Sequence, residues 1–88
     1  MPRRSVSRYD PLGAYLAGLP PEVAEVTLTL AEVATIVGAP LPRTAWAGIW
    51  WKGAATGTQA RAWRAAGWRV ARQALRADPP AVTFARAA

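Results

Sequence analysis

The chain has no cysteine, no histidine and only five carboxylates in 88 residues. Without cysteine there is no disulfide framework and no thiolate metal site. Without histidine the commonest general base is missing, and no ligand set suited to zinc remains. Ser5 and Ser7 have no basic partner of the kind that nucleophilic catalysis needs. The stretch "TGTQ" is too poor in glycine for a phosphate loop, and no GK(S/T) signature occurs. No apolar run approaches the roughly 18–20 residues that span a bilayer. The opening "MPRRSVSRYDP" lacks the apolar segment of a signal peptide. These absences predict a non-catalytic cytoplasmic protein without cofactor, metal or membrane association.

Two things are abundant instead. Five tryptophans offset the small size of the chain, because each ring buries a large apolar area in a core near the lower limit for a single domain. The formal charge is +6, and it is unevenly placed. In residues 1–44, Arg3, Arg4, Arg8 and Arg43 are balanced by Asp10, Glu22, Glu25 and Glu32. In residues 45–88, Lys52, Arg61, Arg64, Arg69, Arg72, Arg76 and Arg86 face Asp78 alone, so the whole excess lies in the second half. Such asymmetry points to a polyanionic partner.

Residues 1–8 are expected to form a flexible basic arm, and residues 9–88 one domain. "YDPLGAYLAGLPP" places Asp10 as helix cap and Pro11 in the first turn, with Leu12, Tyr15, Leu16 and Leu19 at helical spacing. In "EVTLTL", Val26, Leu28 and Leu30 alternate with polar residues and predict a strand. Thr29 and Glu32 have the spacing of a capping box for the next helix, which carries Val33, Ile36 and Val37 and ends at Gly38. A short helix is expected over 43–51, with Trp46, Ile49 and Trp50 on one face. Thr58 is read as the cap of a helix over 59–66, with Trp63 on its buried side and Arg61 and Arg64 on another stripe. Two strands follow, "WRVARQAL" and "AVTFAR", joined by a hairpin tipped by Arg76 and Asp78.

This order predicts an α+β fold, a small winged helix-turn-helix-like domain with a three-stranded antiparallel sheet. The helix over 59–66 then corresponds to the recognition helix, and the hairpin at 76–80 to the wing. Trp46, Trp50, Trp63 and Trp68 fall on apolar stripes and are expected in the core. Trp51 lies off them, either exposed for stacking and docking or covering a sheet edge.

Arginine suits guanine and glutamine suits adenine, while lysine and threonine suit phosphates. The expected nucleic-acid-binding set is therefore Lys52, Thr58, Gln59, Arg61, Arg64, Arg72 and Arg76, with duplex DNA preferred over RNA. Arg3, Arg4 and Arg8 would add non-specific attraction, and Arg69 and Arg86 are read as solvated. One such module contacts few base pairs, so a homodimer or an attached protein partner is expected. The competing reading is a protein–protein adaptor that docks its partner, for example a nuclease, through Trp51 and the basic face.

The strings "YDPLGAYL", "VTLTLAEVATIVGAPLP", "WW", "QARAW" and "AGWRV" together resemble a small bacterial and phage domain family of uncharacterised function. Its pattern joins a YdPL start, a T-F-x-E-I-x-x-I-G-x-x-L-P middle and a WW-x-N…Q-A-x-A-W-x-x-A-G-W-x-V end. Trp50, Trp51, Gln59, Ala60, Trp63, Gly67 and Trp68 match it, while Leu30 replaces a phenylalanine. Lys52 and Gly53 stand where the pattern has its asparagine. Such domains occur alone or attached to nuclease-like and restriction-type proteins, so the resemblance implies association with nucleic acid.

Overall fold

Thr29 ends a strand and caps a helix at the same time. Its hydroxyl accepts from Glu32 N at 3.0 Å, and its own N–H donates to Glu32 Oε1 at 2.8 Å. This capping box turns the chain directly from β1 (Glu25–Thr29) into α2 (Leu30–Val37) with no intervening loop. A computed structural model describes residues 8–51 and 57–87. The first helix, α1 (Asp10–Ala17), precedes β1, and α3 (Thr58–Ala65), β2 (Trp68–Ala74) and β3 (Ala81–Arg86) complete the order. Among the described residues the fold is thus three α-helices and one open, three-stranded antiparallel sheet of order β1-β3-β2.

Several boundaries differ from expectation by one residue. Tyr9, not Asp10, caps α1, and Gly57, not Thr58, caps α3; neither cap bonds through a side chain. Leu30 starts α2 instead of ending the strand, yet remains buried. Gly38 and Gly67 take φ values of +82° and +85°, the left-handed turns that end α2 and lead from α3 into β2.

The larger correction lies at 43–51. A continuous helix is not formed; two 3-10 turns, Arg43–Trp46 and Gly48–Trp51, flank an extended Ala47 at φ −104°, ψ 135°. The break resets the phase of every side chain after it. Trp46 is 51% exposed and Ile49 71% exposed, whereas Trp51 is fully buried. Trp51 also donates its indole N–H to Ala45 O at 2.7 Å, so its one polar atom is satisfied inside. The expectation for Trp46 is therefore reversed, since it leaves the core, while of the two alternatives for Trp51 the exposed ring for base stacking or docking falls and the buried one holds.

The core is an aromatic cluster between the helices and the sheet. Trp51 and Trp63 stack at 5.5 Å with 16° between planes, and Phe84 meets both edge-on. Trp50 joins Tyr9 to this group at 5.5 Å. Leu12, Leu16, Val33, Trp68 and Val82 close the remaining sides. The α1–α3 crossing is close enough that a Cβ on Gly13 would stand 2.7 Å from Ala62 O, so only glycine fits there.

Candidate functional site

On α3, Ala60, Ala62 and Trp63 are buried, while Thr58, Arg61, Arg64 and Ala65 are exposed. At about 100° per residue, Arg61 lies nearly opposite Trp63, which packs toward Phe84 on the sheet. Arg61 therefore lies on the side of α3 turned away from the sheet, and Arg64, about 100° round the helix from Trp63 and about 60° from Arg61, lies on the flank beside it. Together with Gly57 and Ala65 they line a shallow concavity of about 480 Å³. The helix contains no acidic residue. Two guanidiniums across one concavity offer forked donors matched to phosphate or to a guanine edge. The helix thus serves core and charge with opposite sides.

The other expected contributors are distributed differently. Gln59 is half-buried, and its amide donates to Trp50 O at 3.3 Å. Its side chain also folds against Gly57, where any added Cβ would collide with it. Gln59 thus ties the start of α3 to the second 3-10 turn, a structural bond that its reading as a base contact did not include. Thr58 is the exposed first residue of the helix. Lys52, Arg3 and Arg4 lie outside the described residues, and Arg8 is exposed just before α1.

Arg72 is shifted by a bulge. Simple alternation from Trp68 and Val70 would turn it toward the helices. The register instead jumps between Val70, opposite Phe84, and Arg72, opposite Thr83. The extra residue, Ala71, moves Arg72 onto the outer face of the sheet. There its Nη2 pairs with Glu25 Oε1 at 2.9 Å, beside the Thr27–Thr83 hydroxyl bond of 2.8 Å. Arg72 therefore stands on the opposite side of the domain from Arg61 and Arg64, and does not converge with them. Arg76 is exposed in the β2–β3 turn.

Arg86, read as solvated, is a structural residue. It lies directly opposite Trp68 on the inner face, and its guanidinium carbon sits 4.5 Å from that ring's centroid. Nε donates to Val23 O at 2.8 Å, and Nη2 donates to Pro20 O at 2.8 Å and Leu19 O at 3.3 Å. The side chain thereby ties the α1–β1 connection to the end of β3. The signal was present in the sequence: Arg86 continues the Val82, Phe84 alternation, which puts it on the inner face.

The exposed pair Trp46 and Ile49 is the feature that sequence periodicity missed, because the phase break at Ala47 leaves no mark in composition. Among the described residues, no group of three or more metal-binding side chains occurs, and no helix is long and apolar enough to cross a membrane. Comparison with curated proteins and with solved structures gives no match. A family model does match, over residues 9–87, nearly the whole chain. The chain belongs to the family described as Domain of unknown function (DUF7662).

Proposed function

We propose that this domain binds nucleic acid, duplex DNA in the first instance, through the outward side of α3. The observation that carries the reading is the pair Arg61 and Arg64 on one concavity, with Arg61 nearly opposite the helix's buried Trp63. The element order supports a winged-helix-like arrangement, in which α3 enters the major groove and the β2–β3 hairpin, with Arg76 at its turn, contacts the flanking backbone. The footprint is narrower than the full basic complement. Arg61, Arg64 and Arg76 contribute directly, Thr58 and Lys52 suit flanking phosphates, and Gln59, Arg72 and Arg86 hold structure.

The test is binding of a labelled duplex across a salt series. Submillimolar affinity at about 50 mM salt, whose logarithm falls linearly with the logarithm of salt concentration, fits a few phosphate contacts. Affinity no tighter than millimolar at that salt refutes the DNA reading. A second reading, a protein-docking module, is favoured by the exposure of Trp46 and Ile49. In that reading they replace the buried Trp51 as the docking side chains, and it takes over if duplex binding fails.

A further inference from the structure

β1 is an edge strand, and its backbone parity is fixed by two bonds. Arg86 N donates to Ala24 O at 3.1 Å, and Leu30 N donates to Pro80 O at 2.9 Å. With the register Val26–Phe84 and Leu28–Val82, residues 24, 26, 28 and 30 face β3. Glu25 and Thr27 therefore turn their N–H and C=O groups to the open edge. Thr29 gives its N–H to Glu32 Oε1 and, as the cap of α2, its C=O to the first bond of that helix, while no described strand pairs with Glu25 or Thr27 on that side. Edges of this kind are usually blunted by proline, lysine or a bulge. β1, "EVTLT", has none of these, while the opposite edge strand β2 carries both arginines and a bulge.

Beside this edge is an apolar cleft of about 350 Å³, lined by Tyr15, Leu28, Ala31, Glu32, Thr35 and Ile36. Glu32 both lines the cleft and accepts the outward N–H of Thr29, so the cleft opens at the β1 edge.

We infer that the β1 edge pairs antiparallel with β1 of a second copy, joining two three-stranded sheets into one and bringing the two α2 clefts together. The sequence of the edge is self-complementary for this. With a two-fold axis through Thr27, Val26 stands opposite Leu28 of the second copy, and Glu25 stands opposite its Thr29. No like charges meet across the dyad. Each Thr27 exchanges a pair of backbone bonds with its counterpart. Charge favours the same choice: Glu25 is neutralised by Arg72, and residues 1–44 carry no net charge, so two chains of +6 meet through their neutral halves. The pairing stands on the edge geometry alone and does not depend on nucleic-acid binding.

Two measurements decide it. In wild-type protein, amide exchange at Thr27 slows with rising concentration while sedimentation moves from the monomer to twice the chain mass. Thr27 is exposed, so charged side chains are accommodated there. Thr27→Lys and Thr27→Glu, each alone, weaken self-association by roughly tenfold or more, because like charges meet at the dyad. Mixing the two variants restores the dimer as a heterodimer, an outcome that misfolding does not produce. A wild type that stays monomeric at high micromolar concentration overturns the proposal, as does concentration-independent exchange at Thr27. Single variants that dimerise unchanged overturn it as well.

Discussion

Arg86 and Arg61 bring the same guanidinium to opposite environments. Arg86 is half-buried, lies over Trp68 and gives its protons to three carbonyls of the α1–β1 connection. Arg61 stands on the outer side of α3 with Arg64, above a concavity open to solvent. Arg72 is intermediate, exposed but paired with Glu25. A formal charge of +6 therefore overstates what is offered to a ligand. The side of an element on which an arginine falls, and the carbonyls or carboxylates it meets there, decide whether its charge holds the fold or faces outward.

The strongest disruption of this contrast comes from the residue between the two outward arginines. Trp63→Ala removes the ring that stacks on Trp51 and meets Phe84, and leaves a cavity in a small core. A loss of about 3–5 kcal/mol in urea denaturation is expected. A stable Trp63→Ala protein would mean that α3 is not anchored by its inner side, and the division of its two sides would fall.

Next in size is Arg86→Ala, expected to cost about 2 kcal/mol from lost charge-assisted hydrogen bonds and the contact with Trp68. Arg86→Lys recovers only part of this, since an ammonium does not reproduce the planar fork. A neutral effect on thermal unfolding would return Arg86 to the solvated class. Arg72→Ala should change stability by no more than about 0.5 kcal/mol, because the Glu25 pair is exposed and screened. The smallest effect on folding belongs to Arg61→Ala, whose melting temperature should match the wild type within the usual range of surface substitutions.

Much of this organisation is legible in the sequence, and the failures have identifiable causes. The capping box at Thr29 and Glu32, the stop at Gly38 and the hairpin of β2 and β3 are encoded by neighbouring residues, so short-range chemistry reveals them. The tryptophans of 43–51 are different. Their placement depends on one extended residue, Ala47, whose conformation is imposed by the packing of Trp50 and Trp51 against Tyr9 and Trp63. Helical periodicity carried across that break exchanges the inside and outside rings. The bulge at Ala71 has the same consequence for Arg72, since one inserted residue reverses the face of all that follow. Gln59 escapes sequence reading for another reason: its partner is a main-chain carbonyl, Trp50 O, which no side-chain pattern announces.

The most direct measurement compares two double variants of equal net charge in duplex-binding titrations at several salt concentrations. Arg61→Ala with Arg64→Ala removes two charges from the outer side of α3, and Arg69→Ala with Arg72→Ala removes two from β2. The account predicts that the α3 pair costs on the order of 1–3 kcal/mol for each arginine that reads a base, or lowers the salt slope by about 1 for each that contacts phosphate. The β2 pair should bind nearly as the wild type does. Equal losses from both would mean that attraction follows net charge alone, and would contradict the assignment of α3 as the binding helix.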